Sequence, residues 1–151
     1  MTLAENANQR NYQHLVDQLY QTSDFDFVGV ALQANQAPHQ ITWQYVAGNR
    51  GEQFRKIILR SGIGIAGLVV RTGKPFWNNA LQNATYTDVL YTPIAQAECL
   101  TSAAAIPIVT TEFRLVTGVL LVTGVLLAGY RSTQTVSNQT ISRLSHYLAT
   151  F

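Results

Sequence analysis

Residues 62–75 read GIGIAGLVVRTGKP, and the fold turns on how this stretch is taken. Gly62, Gly64 and Gly67 satisfy the G-x-G-x-x-G spacing of a dinucleotide-binding turn. That turn needs a buried parallel strand before it and a second strand ending in an acid about 20 residues on. Asp88 stands near that distance, but the segment before it, WNNALQNATYTD (77–88), is too rich in Asn and Thr for a buried strand. Nor is GKP (73–75) a phosphate loop, since no Ser or Thr follows the lysine and the glycine spacing is wrong. What remains is a tight glycine loop opening a short helix over 65–71, stopped by Thr72, Gly73, Lys74 and Pro75.

Upstream of the loop, residues 24–32 (DFDFVGVAL) predict a strand and 33–40 a polar loop containing Pro38. Residues 41–47 (ITWQYVA) alternate, which places Ile41, Trp43, Tyr45 and Ala47 on one face of a second strand, antiparallel to the first. Residues 54–60 (FRKIILR) fit helix or strand. Residues 3–22 predict a helix from the recurrence of Tyr12, Leu15, Val16 and Leu19. Downstream, 76–91 reads as irregular. Thr92 and Pro93 then form the N-cap and first position of another short helix reaching about Cys99. Strands follow over 103–109 and 115–130, separated by a turn at 110–114. An amphipathic helix over 136–151 carries Ile141, Leu144, Leu148 and Phe151 on one face. LVTGVL occupies 115–120 and again 121–126, and an even insertion preserves strand parity, so it lengthens a hairpin. The order predicts one α+β domain over 1–151. A central antiparallel sheet carries the terminal helices on one face and a ligand pocket under a helical crossover on the other.

Composition narrows the function. The chain has 151 residues, 47% hydrophobic and 12% charged, with a formal net charge of +2. No Lys/Arg run exceeds two residues, so the basic footprint of a nucleic-acid binder is missing. The most apolar stretch, 115–129, is too short for a bilayer span of about 20 residues and contains Thr117, Gly118, Thr123 and Gly124. The N-terminal MTLAENANQR has no apolar signal-peptide region, and a single cysteine, Cys99, forms no internal disulfide. The expected location is cytoplasmic, with no membrane partner. His14, His39 and His146 fall on separate elements without a nucleophile or metal spacing and read as surface residues. Cys99 reads as a core or half-buried thiol. No enzyme, no metal and no cofactor is expected.

Chemistry concentrates at two helix starts: Gly64, Ile65, Ala66 and Gly67, and Thr92, Pro93, Ile94 and Ala95. Helix N-termini present unsatisfied N–H groups and partial positive charge, which suit small anions. Either one alone is an ordinary surface helix start. Two of them with apolar neighbours point to a neutral cavity lined by N–H groups. Trp43 offers an indole N–H or plain core packing. Arg60 and Arg71 flank the loop as solvated residues or long-range attractors.

The G-I-A-G loop with R-T-G-K-P, the strand SAAAIPI (102–108) and GVLLAGYR (124–131), in that order, resemble a GAF domain over most of residues 24–150. DFVGVALQ, W-x-Y-V-A-G-N and P-I-x-x-x-E further resemble the nitrate receptors of that family. The resemblance implies nitrate held by backbone amides and a tryptophan, and a partnership with a sensor histidine kinase of a two-component system. On that pattern Trp43 is the tryptophan, Ile65 and Ala66 give amides of the glycine loop, and Ile94 after Pro93 gives the amide of the second helix. Gly64 and Ala95 complete the two turns. Where the pattern has a tyrosine before the proline this chain has Thr92, with Tyr91 one place earlier, and the LVTGVL duplication is a further departure. The alternative expectations are a cyclic nucleotide or amino acid in the same pocket, or a relative of the free methionine sulfoxide reductases. The bilin-binding pattern of adjacent cysteine and histidine is absent, since Leu100 follows Cys99. Finally, Tyr12, Leu15, Leu19, Leu144, Leu148 and Phe151 either cover the sheet and each other or serve a partner or a homodimer.

Overall fold

The computed structural model describes residues 11–34, 36, 38–59, 61–83, 91–109 and 122–151. Expectations for residues 3–10, Arg60, Asp88 and most of the LVTGVL duplication lie outside the described residues. The elements are α1 (Tyr12–Thr22), β1 (Phe27–Gln33), β2 (Ile41–Ala47), β3 (Ile58–Leu59), α2 (Gly64–Thr72), β4 (Phe76–Asn78), α3 (Pro93–Glu98), β5 (Ser102–Val109), β6 (Val122–Tyr130) and α4 (Asn138–Ala149). The strands form one sheet in the order β3-β2-β1-β6-β5-β4, and every neighbouring pair is antiparallel. The molecule is thus α+β.

Two cores lie on opposite faces of the sheet, because successive strand residues point to opposite sides. Val28, Val30, Ala104, Ile106, Leu126 and Ala128 pack against Leu15, Val16 and Leu19 of α1 and Leu144 of α4. Phe27, Ala31, Ala103, Ala105, Val125 and Leu127 pack under the crossover, against Ile65, Ala66 and Val69 of α2 and Ile94 and Ala95 of α3. The terminal helices therefore share one face and the crossover helices the other. Of the six apolar residues left open between covering and docking, Leu15, Leu19 and Leu144 are buried. Tyr12, Leu148 and Phe151 are half-buried on the same core. Tyr12 and Phe151 also stack on each other at 6.3 Å. The apolar stripes thus cover the sheet and each other.

Local chemistry sets the helix limits. Asn11 caps α1 by accepting from the His14 N–H at 3.1 Å. Gly73 ends α2 in the left-handed conformation at φ 70°. Ser137 and Thr140 form a reciprocal capping box on α4.

Three expectations are corrected. In β2, Val30 pairs with Tyr45 but Ala31 pairs with Trp43, so Gln44 is an extra residue, a β-bulge. The bulge reverses the facing: Ile41 and Trp43 lie on the crossover side, whereas Tyr45 and Ala47 lie on the helix side. The four do not share a face. Residues 76–78, expected to be irregular, form edge strand β4 against Ala103–Ala105. The neighbouring polar side chains anchor it: Asn79 bonds Val136 in both directions at 2.8 and 3.0 Å, and the Trp77 indole donates to Asn138 at 2.9 Å. Cys99 is exposed rather than core or half-buried, as the left-handed cap of α3 at φ 57°. Residues 53–59 resolve into both open alternatives, a 3-10 turn Gln53–Lys56 and then β3. The three histidines are exposed. No helix among the described residues is long and apolar enough to cross a membrane.

Candidate functional site

The bulge at Gln44 turns Trp43 into the crossover core, where its ring meets Phe27 edge-on at 6.5 Å. Trp43 is 3% exposed, and its Nε1 is a buried donor with no hydrogen-bond partner among the described residues. Buried polar groups are almost always satisfied, so an orphan of this kind marks either a ligand position or a water position.

The two helix starts abut. Gly64 has φ +72°, and a Cβ there would stand 2.6 Å from the Tyr91 carbonyl oxygen and 3.1 Å from Thr92 Cα. Only glycine permits both the backbone conformation and the approach. The Ile65 N–H donates to Thr92 Oγ1 at 3.1 Å, tying the start of α2 to the residue before α3. The Thr92 carbonyl accepts from the N–H groups of Ala95, at 2.9 Å, and Gln96, at 3.2 Å. Pro93 carries no N–H. Among the described residues, the amides of Ala66 and Ile94 have no acceptor.

Of the eight residues singled out from the sequence, Trp43, Ile65, Ala66, Ile94 and Ala95 lie in one buried cluster. Gly64 forms the contact between the helix starts. Tyr91 and Pro93 are half-buried and line a groove of about 350 Å³ with Gln53, Lys56, Ile57, Gln96 and Ala97. A second groove, about 360 Å³, lies away from these residues, between β5 and the end of α4. Arg71 is exposed beside Gly62. Among the described residues, no group of three His, Cys, Asp or Glu could hold a metal ion. The buried cluster can offer neutral N–H donors to an acceptor.

Sequence reasoning missed Thr92 as a side-chain partner of Ile65, and it missed a buried ion pair behind α3. Glu98 is 1% exposed and its carboxylate meets the Arg131 guanidinium. Glu98 also accepts from the Arg50 N–H at 2.7 Å. Arg131 further donates to the carbonyls of Glu98 (2.7 Å), Gly48 (3.0 Å) and Asp26 (3.1 Å). This clasp joins the C-terminal end of α3 to the ends of β1, β2 and β6. Its one sequence signal is a glutamate in the last turn of a helix, where the helix dipole disfavours negative charge.

No family model and no curated protein sequence matches the chain. Solved structures do. A structure of NreA from Staphylococcus aureus, mutated in its nitrate binding site, is 31% identical. The match covers 90% of this chain and 99% of that one with a TM-score of 0.70. The GAF domain of an Acinetobacter phosphoenolpyruvate-protein phosphotransferase is 16% identical, covering 91% of this chain and 72% of that one with a TM-score of 0.63. The free methionine-R-sulfoxide reductase of Staphylococcus aureus is 14% identical, covering 91% and 76% with a TM-score of 0.66. The last two likenesses show the fold alone. A curled six-stranded antiparallel sheet with helices on both faces is that of a GAF domain. Within that class, the chain belongs to the NreA family.

Proposed function

We propose that this chain is a nitrate receptor, a non-catalytic cytoplasmic GAF domain that reports nitrate to a sensor histidine kinase controlling nitrate respiration genes. The observation that carries the reading is the Trp43 indole N–H, buried without a partner in the cluster that holds both helix starts. Nitrate is planar, singly charged and weakly hydrated. Neutral N–H groups match its delocalised charge without a fixed cation. Sulfate and phosphate are larger and more highly charged, and such a cavity compensates their dehydration poorly. The nitrate binding site named for the S. aureus NreA structure supports the same ligand. A reductase reading finds less support, because Cys99 is the sole cysteine and cannot resolve its own sulfenic acid into an internal disulfide.

Calorimetric titration with nitrate, nitrite, chloride and a cyclic nucleotide tests the ligand. Nitrate binds, with Kd no tighter than roughly tens of micromolar, since four heavy atoms at a ceiling of about −1.5 kcal/mol each give about −6 kcal/mol. A silent nitrate titration, or submicromolar binding, overturns this site. For the kinase, reciprocity decides. Saturating kinase changes nitrate affinity by the same factor by which nitrate changes kinase affinity, and identical titrations with and without kinase remove the regulatory role.

A further inference from the structure

We infer that Thr92 sets the number of amides the site can offer, by holding the Ile65 N–H away from the ligand; the consequence for the ion rests on the nitrate reading above. Thr92 occupies the N-cap position of α3, yet its side chain makes no capping bond to that helix. Its Oγ1 instead accepts from the N–H of Ile65, 27 residues back in the chain and in the first turn of the nine-residue α2. Both residues are 1% exposed, so water does not compete for this bond. Gly64 brings the two backbones into direct contact at this bond, close to Tyr91 and Thr92. The β-branched side chain is also stiff at χ1.

An amide has one hydrogen. While Thr92 accepts it, an anion in the cluster draws on the Ala66 amide and the Trp43 indole, and Ile65 contributes nothing. The hydroxyl therefore attenuates affinity, and the receptor answers to higher nitrate concentrations than the same frame would without it. Thr92 acts through Ile65, as a residue that sets specificity and range.

The test compares Thr92→Ala with Thr92→Ser in the full chain. Alanine removes the hydroxyl and frees the amide; serine keeps the hydroxyl. The side chain makes no capping bond to α3, and circular dichroism checks that both variants fold. Titrated with nitrate, Thr92→Ala binds about tenfold tighter than the parent, the size of one hydrogen bond to a charged group. Thr92→Ser binds like the parent. A purely structural role predicts weaker binding in Thr92→Ala. A parent that binds nitrate and a Thr92→Ala chain that binds no tighter overturn the inference while leaving the nitrate reading in place. If both chains are silent to nitrate, the nitrate reading falls, and with it the consequence for the ion. The cap is then decided without ligand, by hydrogen exchange at the Ile65 amide. Exchange accelerates in Thr92→Ala and not in Thr92→Ser, and unchanged exchange in Thr92→Ala overturns the cap.

Discussion

An indole N–H buried without an acceptor costs about 1–3 kcal/mol. Under the proposed function, nitrate on Trp43 Nε1 removes that penalty and adds a charge-assisted bond. Trp43→Phe keeps an aromatic ring beside Phe27 and deletes only the donor. Nitrate affinity then falls about tenfold or more in a titration, with an unchanged circular dichroism spectrum. Binding equal to the parent means the indole does not touch the ion. Gly64 shows the opposite case, a residue that matters for what it lacks. Gly64→Ala places a Cβ at φ +72° and 2.6 Å from the Tyr91 carbonyl oxygen. It destabilises the fold by about 2–3 kcal/mol in urea unfolding and weakens the ligand by prising the helix starts apart. An unchanged urea midpoint shows that the two helix starts are free to separate.

At the scale of elements, the clasp behind α3 is the joint to test. Glu98→Ala leaves the partly buried Arg131 guanidinium with its three carbonyl acceptors but no counter-charge, and lowers stability by about 3 kcal/mol. The double variant Glu98→Leu with Arg131→Met removes both charges and recovers much of that loss, because the two residues are coupled. Additive losses in thermal unfolding argue that the pair is not a unit. The elements also show what a sequence discloses. Gly64, Gly73 and Pro93 mark helix ends by their own backbone limits, so α2 and α3 are legible locally. The Trp43 position is legible as a candidate donor. Its facing relative to Tyr45 is not, because the bulge rests on Gln44, an exposed polar residue with no local signature. Strand β4 is hidden by its asparagines, and the bonds that anchor it, Asn79 to Val136 and Trp77 to Asn138, exist only after folding. The Thr92–Ile65 and Glu98–Arg131 contacts join positions 27 and 33 residues apart, beyond any periodicity.

For the whole molecule, one buried phenol ties stability to pH at the alkaline end. On the terminal-helix face, Tyr130 is buried and donates to Asp24 at 2.7 Å. Burial first, then the Asp24 bond and charge, push its phenol up to about 12, with Arg143 opposing. The folded state thus favours the neutral phenol. Its contribution is complete below pH 10, the ordinary value, and is lost as pH rises towards 12. Thermal midpoints measured across that window fall more steeply for the parent than for Tyr130→Phe. Tyr130→Phe starts about 1 kcal/mol lower from the missing bond to Asp24. Parallel pH profiles rule out Tyr130 as the source. Under the proposed function, nitrate is an independent handle on global stability, since a ligand at 100 times its Kd adds about 2.7 kcal/mol to the folded state.

The sheet terminates on its two shortest strands, β3 with two residues and β4 with three, and Pro75 stands directly before β4. An open strand edge is a template on which a foreign strand can polymerise, and its strength grows with the row of unpaired backbone groups it displays. Two and three residues make a poor template, and a proline beside the second lacks the donor needed to extend it. Another protein would therefore gain little by lending this domain a strand. Recognition is left to helices, loops and side chains, and the concentrated protein is guarded against stacking edge to edge into fibrils.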